Sequence, residues 1–287
     1  MSSSSISTQS AWSLKNQKYV VTGGTKGIGY ATAKALLTHG ANVLVCARTE
    51  SDITICVENL QNESNRIGND SSISIYGIAC DISTEEGRKN LLDYAKKVFD
   101  SELNGLINNV GRNIRKPISE QTSEEYRSIQ STNVDSIYFL CQLFQPVLKK
   151  TAEALTGNKT TVVVNVTSAA GVQSSGTGAA YGMSKASIIH LTKILACEWA
   201  PHKIRVNAVA PWMTMTPMLE EAVKEDPSQL DKVIDWTPMQ RLATVEEVAG
   251  PIAFLCMDCS GYITGQCLGI DGGLTAQGFQ GPCATGS

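Results

Sequence analysis

Short apolar runs alternate along the chain with longer stretches whose apolar residues recur at helical spacing. The runs typical of buried strands are KYVVT, ANVLVCA, SISIYGIAC, NGLINN, TTVVVNVTS, IRVNAVAP and QCLGIDGG. Helical spacing predicts helices over residues 27–40, 52–66, 83–99, 122–150, 178–200 and 244–257. Ser83 followed by Glu86 has the pattern of a capping box, and Gly40 is a candidate C-cap.

The strand-like runs are nearly continuous in apolar residues, which favours a parallel sheet covered on both faces. No internal repeat or linker divides the chain. We therefore predict an α/β fold with a single doubly wound, Rossmann-type domain over residues 16–279, containing a seven-stranded parallel sheet with helices on both faces. We expect a disordered leader over 1–15, a tail over 280–287 and a substrate lid near 212–239. Ligands should bind at the carboxyl ends of the strands.

The composition argues against two classes of partner. A net charge of −3 and an isoelectric point of about 5.7 leave no broad basic surface for nucleic acid. The apolar runs are far shorter than the roughly 20 residues that cross a bilayer, so no membrane segment is expected. The Ser-rich N-terminus lacks arginine and the apolar core of a signal peptide. We expect a cytoplasmic protein, with a transit peptide as the open alternative.

Nine cysteines are scattered through the chain, and only Cys256 and Cys259 form a CxxC pair. A zinc or redox site would need a second ligand pair or an oxidoreductase motif around that pair, and neither is visible. We predict plain buried thiols, no metal site and a reducing compartment.

A glycine-rich turn follows the first predicted strand, in TGGTKGIG. Gly23, Gly27 and Gly29 would let the backbone approach a pyrophosphate, which the free N–H groups of the next helix would bind. A tight turn without a ligand is the alternative. After the second strand stand Ala47 and Arg48, where an NAD-binding chain places an acid. With Lys26 in the glycine turn, Arg48 favours the 2′-phosphate of NADP(H), unless both are ordinary surface cations.

Tyr181 and Lys185 are four residues apart in the predicted helix 178–200, so they share one face. A lysine ammonium close to a phenol favours the phenolate and lowers its pKa from about 10 towards neutrality. We therefore expect the lysine to tune Tyr181 for acid–base chemistry. Asp81, after the third strand, is placed either to accept a hydrogen bond from an adenine amino group or to cap the following helix.

A series of motifs follows along the chain in this order: TGGTKGIG, NNVG at 108–111, Asn133 in STNVDS, Ser168 in NVTS, YGMSK, IRVNAVAP and YITGQ…IDGG. Taken together, they resemble the short-chain dehydrogenase/reductase family over nearly all of residues 16–279. Within it, RVNAVAPW and DGGLTAQGF look most like tropinone reductases and their relatives. The resemblance implies a catalytic tetrad of Asn133, Ser168, Tyr181 and Lys185. Tyr181 would be the acid–base group, Ser168 would bind the substrate oxygen, Lys185 would hold the nicotinamide ribose, and Asn133 would anchor a water. Tyr181, Ser168 and Asn133 also have structural alternatives, as an ordinary amphipathic helix residue, a strand-end cap and a satisfied core amide.

The resemblance also implies a set of cofactor contacts: Gly23, Thr25, Lys26, Gly27, Ile28, Gly29, Arg48, Asp81, Ile82, Asn109, Gly111, Tyr181, Lys185, Pro211, Thr214 and Thr216. Thr216 matches the family threonine that binds the carboxamide, and Thr214 competes for that role. The substrate pocket is expected to include Ser174, Trp212, Met213 and Met218, although the lid residues could equally pack the lid onto the domain. Val110 and Trp212 depart from the family pattern, which has alanine and glycine there.

The function expected from this resemblance is an NADPH-dependent carbonyl reductase or alcohol dehydrogenase for a small cyclic or hydrophobic ketone. Helices near 135–150 and 185–199 match the family's four-helix contacts, so we expect a homodimer or homotetramer. A 3-oxoacyl-carrier-protein reductase is the first alternative and would need a basic patch, for which Arg112, Arg115 and Lys116 are the candidates. A nucleotide-sensing scaffold protein without enzymatic activity is the second.

Overall fold

The computed structural model of the chain describes residues 10–66, 73–216, 219–220, 223–224 and 226–278. In this part, one parallel sheet has the strand order β3-β2-β1-β4-β5-β6-β7. Its strands are β1 Lys18–Thr22, β2 Asn42–Ala47, β3 Ile75–Ala79, β4 Gly105–Asn108, β5 Thr161–Val166, β6 Ile204–Pro211 and β7 Cys267–Ile270. The order reverses between β1 and β4, which opens a crevice at the carboxyl ends of the strands.

Helices cover both faces of this sheet. They are α1 Gly27–Thr38, α2 Glu50–Arg66, α3 Glu85–Val98, α4 Ser123–Gln130, α5 Ser136–Ala154, α6 Ala179–Trp199, α7 Asp231–Trp236 and α8 Val245–Cys256. Val21 and Val45 face a core with α1, α2 and α8, whereas Val20 and Leu44 face a second core with α3, α5 and α6. Successive strand residues thus enter opposite cores, which explains the uninterrupted apolar runs. The predicted doubly wound, seven-stranded domain is confirmed.

The start of α3 differs from the prediction. Its N-cap is Thr84, whose Oγ1 accepts a hydrogen bond from Gly87 N at 3.0 Å. Ser83 instead donates its hydroxyl to Asp81 Oδ1 at 2.7 Å. The predicted capping box of Ser83 and Glu86 is therefore wrong, because the carboxylate of Asp81 captures Ser83 in a local turn.

The predicted helix over 122–150 is interrupted. A single π-helical turn, Ser131–Asp135, joins α4 to α5. Such turns insert one extra residue into an α-helix and frequently accompany functional sites. This turn contains Asn133.

Part of the predicted disordered leader is folded onto the domain. Ser10–Trp12 form a turn of 3₁₀-helix, and the Trp12 ring lies 5.9 Å from that of Phe254. Leu14 is fully buried, and its N–H donates to His39 O at 2.9 Å. The leader prediction is therefore wrong for residues 10–15, because Leu14 fills the core beside α1. Residues 1–9 and the predicted tail, 280–287, lie outside the described residues.

The eight cysteines in the described ranges are free thiols. Cys256 is buried in the core, and burial raises its pKa to about 12. No described helix is long and apolar enough to cross a membrane. Within the same ranges, no three side chains of His, Cys, Asp or Glu gather in a way that could hold a metal ion.

Candidate active site in the crevice of the sheet

The turn between β1 and α1 requires glycine for steric reasons. Gly23 and Gly27 have φ angles of +62° and +55°, in the left-handed region that glycine favours. A Cβ added to Gly29 would lie 2.1 Å from Gly23 O. The backbone therefore folds back on itself at a distance that only a glycine permits.

The N-terminus of α1 is suited to bind an anion. Its N-cap, Lys26, makes no side-chain capping hydrogen bond, and no acidic residue occupies the first turn. Asn109 ties this turn to β4, since its Nδ2 donates to Thr22 O at 3.0 Å and to Gly23 O at 3.2 Å. Free N–H groups at a helix N-terminus and a close glycine backbone fit the pyrophosphate of a dinucleotide. The predicted residues Gly23, Thr25, Lys26, Gly27, Ile28, Gly29 and Asn109 come together here.

The charges beside this turn differ from the expectation of two cations without an anion. Lys26 Nζ forms an ion pair with Asp52 Oδ2 at 2.9 Å, and Asp52 lies in the first turn of α2. Arg48 is exposed at the end of β2 and has no carboxylate within 4 Å in the described part of the chain. Within the described residues, Arg48 thus forms no ion pair at the position where the ribose of the cofactor is expected, although its charge reaches Asp81.

Asp81 and Ile82 are held by the protein at the edge of this crevice. Burial raises the pKa of Asp81, but hydrogen bonds from Ser83 and the charge of Arg48 outweigh it, and the pKa lies below its usual value. The alternative role of Asp81 as a helix cap is wrong, because Thr84 is the cap. The side chain of Ile82 is buried in the core beside α3.

Ser168 and Tyr181 are brought together near the carboxyl end of β5. Ser168 follows that strand, and Tyr181 lies in the first turn of α6. Burial raises the pKa of Tyr181, while a hydrogen bond with Ser168 and the charge of Arg115 lower it by less. Lys185 is not among the groups that shift this pKa, and the predicted tuning by the lysine stays a prediction.

Lys185 is almost completely buried, with 2% of its surface exposed. Its Nζ lies 5.7 Å from the centre of the Tyr181 ring and donates a hydrogen bond to Val166 O at 3.0 Å. Burial lowers the pKa of Lys185 to about 8. The predicted neighbourhood of tyrosine and lysine is therefore present, but the desolvated amine is a weaker source of positive charge than we expected.

Gly111 leaves room for this lysine. A Cβ on Gly111 would lie 3.0 Å from Lys185 Nζ and 3.7 Å from Asn133 Oδ1. The last glycine of NNVG is thus placed where a larger residue would press on the amine. Val110 beside it packs against the core and over Gly23, where a Cβ would meet Val110 Cγ2 at 3.0 Å.

Both polar atoms of the Asn133 side chain hydrogen-bond to other groups of the protein. Its Oδ1 accepts from Arg112 N at 2.8 Å, and its Nδ2 donates to Arg112 O at 2.9 Å and to Ser184 Oγ at 3.0 Å. Ser184 in turn donates to Tyr181 O at 2.7 Å. The Asn133 side chain therefore fixes the loop after β4 to the start of α6, and its predicted role as a water anchor stays a prediction.

Thr214 and Thr216, the two candidates for binding the carboxamide, lie in different surroundings in the segment after β6. A Cβ on Gly27 would lie 3.4 Å from Thr216 Cγ2, so Thr216 is beside the glycine turn. Thr214 is buried and donates its hydroxyl to Trp212 O at 3.1 Å. Thr216 is thus placed for a cofactor contact and Thr214 is not. Pro211 is buried at the end of β6.

The predicted substrate residues do not share one cavity. Ser174 lines a cavity of about 790 Å³ beside α6. Trp212 and Met213 line a separate one of about 120 Å³, so the structure does not bring them to Ser174. The indole Nε1 of Trp212 donates to Thr237 Oγ1 at 3.1 Å, because the ring turns towards the far end of the expected lid. Met218 lies outside the described residues.

Two further residues near this site, Arg115 and Ser184, were not assigned to it from the sequence. Arg115 lines the 790 Å³ cavity and acts electrostatically on Tyr181. Ser184 links Asn133 to Tyr181 through its hydroxyl. The only sequence signal for Arg115 was its place in the candidate basic patch. Of that patch, Lys116 Nζ pairs with Glu125 Oε1 at 2.5 Å and Arg112 donates to Ser128 Oγ at 2.5 Å.

Comparisons with known proteins show what the chain is similar to. A family profile described as enoyl-(acyl carrier protein) reductase matches residues 23–275. A chloroplastic tropinone reductase homolog of Arabidopsis thaliana is 40% identical over 278 residues, which cover 97% of this chain and 81% of the relative. A tropinone reductase homolog of Datura stramonium is 39% identical over 93% of this chain and 95% of its own. The expected likeness to tropinone reductases is confirmed.

Solved structures show the same fold. The RhlG/NADP active-site complex of Pseudomonas aeruginosa superposes with a TM-score of 0.82 at 29% identity and covers 93% of this chain and 99% of its own. A structure from Beutenbergia cavernae, described as holding NADP at low occupancy, gives a TM-score of 0.81 at 28% identity, with 93% and 100% of the two chains covered.

Proposed function

Because the chain belongs to the short-chain dehydrogenase/reductase family, we propose that it is an NADP(H)-dependent oxidoreductase that interconverts a ketone and an alcohol. The substrate class is a small ketone held in the crevice. The observation that carries this proposal is the meeting of Tyr181, Ser168 and Lys185 at the carboxyl end of β5, on the side of the crevice that adjoins the glycine turn.

Each of these residues has a separate task in the proposed reaction. Bound NADPH supplies the hydride. Tyr181 donates its hydroxyl proton to the oxygen of the carbonyl as negative charge develops there. Ser168, which is close enough to Tyr181 to lower its pKa, donates to the same oxygen. Lys185 holds the ribose hydroxyls of the cofactor with an amine that now donates to Val166 O.

The raised pKa of Tyr181 suits reduction better than oxidation. A phenol that stays protonated at neutral pH is ready to donate a proton, whereas alcohol oxidation needs its conjugate base. Ketone reduction should therefore proceed at neutral pH, and alcohol oxidation should accelerate as the pH rises towards the pKa of Tyr181.

Tyr181→Phe tests the acid role. We expect kcat for ketone reduction to fall by about two orders of magnitude or more, because general acid catalysis contributes on this scale. NADPH binding, measured by fluorescence, should remain nearly intact. Tyr262→Phe, at a fully exposed position, is the matched control and should behave as wild type. Turnover of the Tyr181 variant at the wild-type rate would refute the proposed role.

The choice of NADP(H) rests on Arg48, the cation without a carboxylate partner at the end of β2. Arg48→Asp should reverse the ratio of kcat/KM for NADPH over NADH, since a carboxylate accepts from a ribose hydroxyl and repels a 2′-phosphate. Arg127→Asp, on the exposed side of α4, is the control for the same charge change. An unmodified enzyme that uses NADH as well as NADPH would contradict the assignment.

A 3-oxoacyl-carrier-protein reductase is a weaker candidate. The ion pair of Lys116 with Glu125 reduces the basic patch that an acidic carrier protein would need. A nucleotide-sensing scaffold protein is also disfavoured, because it has no use for a buried lysine beside a tyrosine and serine. NADPH absorbance measured against a panel of carbonyl compounds, including an acyl-carrier substrate, distinguishes the three.

We further propose that the active protein is a homodimer or homotetramer. Apolar side chains on α5 and α6 face outward on one side of the molecule, among them Tyr138, Phe139 and Ile194. A second copy would bury them. Free thiols throughout the described chain suit a reducing compartment, for which we propose the cytoplasm; a fluorescent fusion would separate this from the plastid location of one relative.

A further inference from the structure

A short turn after Ser168 packs directly against α6. The chain leaves β5 and forms one turn of 3₁₀-helix, Ala169–Gly171. Ser168 caps this turn, since its Oγ accepts a hydrogen bond from Ala170 N at 3.2 Å. Gly171 N in turn donates to Ser168 O at 2.9 Å. These hydrogen bonds join Ser168 to the turn, so any displacement of the turn also displaces Ser168.

The contact between this turn and α6 depends on glycine from both sides. A Cβ added to Gly171 would lie 2.7 Å from the carbonyl carbon of Lys185 and 2.8 Å from Ala186 N. A Cβ added to Gly182 would lie 3.1 Å from Ala170 O. Non-bonded carbon atoms in ordinary contact are about 3.5–4.0 Å apart. The two backbones are therefore too close for any side chain at Gly171, and Gly182 is at the edge of what alanine permits.

The turn meets α6 beside its proposed catalytic side chains. Gly182 and Ala186 are four residues apart and share one side of the helix, and Tyr181 and Lys185 share the neighbouring side. The turn that carries Ser168 thus lies against the same stretch of helix that carries Tyr181. The contact is made by backbone atoms, so a side chain could not relieve a clash there by rotating away.

Hydrogen bonds from other elements hold α6 in place. They join Lys185 Nζ to Val166 O, Asn165 Nδ2 to Thr192 Oγ1 and Asn133 Nδ2 to Ser184 Oγ, each at 3.0 Å. Because these bonds fix α6 to β5 and to the π-turn, a side chain at residue 171 would displace the turn rather than the helix. The displacement would be about 1 Å, the difference between 2.7 Å and an ordinary contact.

We propose that Gly171 is a positioning residue whose close contact with α6 sets the distance between the hydroxyls of Ser168 and Tyr181. This inference rests on the proposed function, in which both hydroxyls donate to one carbonyl oxygen, and it adds the feature that brings them to one point. Two donors stabilise one oxygen only if both lie within about 3 Å of it. A misplacement of about 1 Å at such a site can lower turnover by about 100-fold.

Gly171→Ala tests the inference through its dependence on Ser168. We expect kcat for ketone reduction to fall by about 10- to 100-fold, while the Kd for NADPH stays nearly unchanged. Ser168→Ala should also lower kcat, because it removes one of the two donors. The double variant should be no more than about threefold slower than Ser168→Ala, since the position of the turn cannot affect a hydroxyl that is absent. Equal losses from Gly171→Ala in both backgrounds would overturn the inference.

A control and a second variant separate positioning from folding. Gly250→Ala, in α8, should keep the wild-type kcat, since no described atom beyond its own helix turn lies within 4 Å of a Cβ added there. Gly182→Val presses on the same turn from the helix side and costs a helix little compared with glycine. It should lower kcat by about 10-fold and show the same dependence on Ser168, even if Gly171→Ala does not fold. A loss that is independent of Ser168 would again overturn the inference.

A spectroscopic measurement keeps the inference distinct from the proposed function. Ser168 lowers the pKa of Tyr181, which can be measured by NMR of protein labelled with ¹³C at the tyrosine Cζ and assigned with Tyr181→Phe. Gly171→Ala should raise this pKa as Ser168→Ala does, and the double variant should raise it no further. That result supports the positioning role even where no ketone is reduced, an outcome in which the proposed function fails. A pKa that Ser168→Ala raises and Gly171→Ala leaves unchanged would overturn the positioning role and leave the proposed reductase intact.

Discussion

Lys185 is the residue at which activity and stability oppose each other. It is buried, and its nearest hydrogen-bond acceptor is the neutral carbonyl of Val166 rather than a carboxylate. A buried ammonium without a counter-ion destabilises the folded protein. The lowered pKa of Lys185 is a measure of this destabilisation. Each unit by which the pKa falls on folding corresponds to about 1.4 kcal/mol in the free energy of unfolding with the lysine charged.

Replacing this lysine should stabilise the protein. The folded pKa of about 8 lies below the unfolded value, so the unfolded state binds more protons between the two and stability rises with pH there. The destabilisation is complete below pH 8 and disappears as the pH approaches the unfolded pKa. We expect Lys185→Met to exceed wild type at pH 7 by about 1–3 kcal/mol in the free energy of unfolding, allowing for the lost hydrogen bond.

Urea unfolding at pH 7, 8, 9 and 10 measures the free energy of unfolding of both proteins and tests this prediction. The stability difference between Lys185→Met and wild type should shrink as the pH rises, while ketone reduction by the variant is lost. Lys193→Met, exposed on the same helix, should show no such pH-dependent difference. A Lys185 variant less stable than wild type at pH 7 would contradict the argument.

The closeness of Tyr181 and Lys185 could be predicted from the sequence, but the electrostatics around them could not. Tyr181 and Lys185 are fixed on one helical face by a spacing of four residues. Lys26 and Asp52 are 26 residues apart, and their ion pair exists only because α1 and α2 start at the same edge of the sheet. The pKa of Tyr181 likewise depends on its burial, which arises only when the chain folds.

At the scale of elements, Trp212 joins the two ends of the expected lid. Its N–H donates to Ile270 O at 3.0 Å and its indole donates to buried Thr237, next to the end of α7. Met215 and Ala243 add a backbone hydrogen bond of 2.8 Å between the same two stretches. A bulky ring where the family pattern has glycine therefore ties the two ends of the segment to each other, while the backbone of Trp212 ties it to β7.

Trp212→Phe should loosen this segment. The variant keeps an aromatic ring but loses the indole hydrogen bond, which contributes about 1 kcal/mol and leaves Thr237 with one partner fewer. We expect faster backbone hydrogen exchange over residues 212–216 and 237–243 and a higher KM for the ketone. Trp236→Phe, on the exposed side of α7, is the matched control. Unchanged exchange in Trp212→Phe would show that the indole does not anchor the segment.

Strands were predicted more accurately than helix details. β1 and β6 have the predicted bounds because buried parallel strands are apolar throughout and rich in β-branched residues, as KYVVT and IRVNAVAP are. The π-turn at Asn133 was not predictable, because the helical spacing continues through it and the extra residue is stabilised by contacts with Arg112 and Ser184.

At the scale of the whole molecule, the proposed homodimer or homotetramer can be tested by changing one residue of its expected interface. Ile194 on α6 and Tyr138 on α5 are 42% and 50% exposed, on the sheet face opposite to α2. Ile194→Glu should convert the assembly to monomers, since an unpaired carboxylate would be buried between copies. Light scattering at micromolar concentration measures the mass. Ile55→Glu, at a 56% exposed position on α2, should leave it unchanged. Wild-type protein that is monomeric would contradict the proposed assembly.

The reversal of strand order between β1 and β4 places the proposed coenzyme contacts and the proposed substrate contacts on different sides of β1. Arg48, on the strand to one side of β1, is placed for the proposed contact with the coenzyme, whereas Ser168 and Tyr181, beyond β4 on the other side, are placed for the proposed contact with the carbonyl. Under the proposed function, selection can therefore act on either side of β1 while leaving the other preference in place. A gene duplicate of this chain could acquire a new substrate through changes beyond β4 and keep its original source of reducing power.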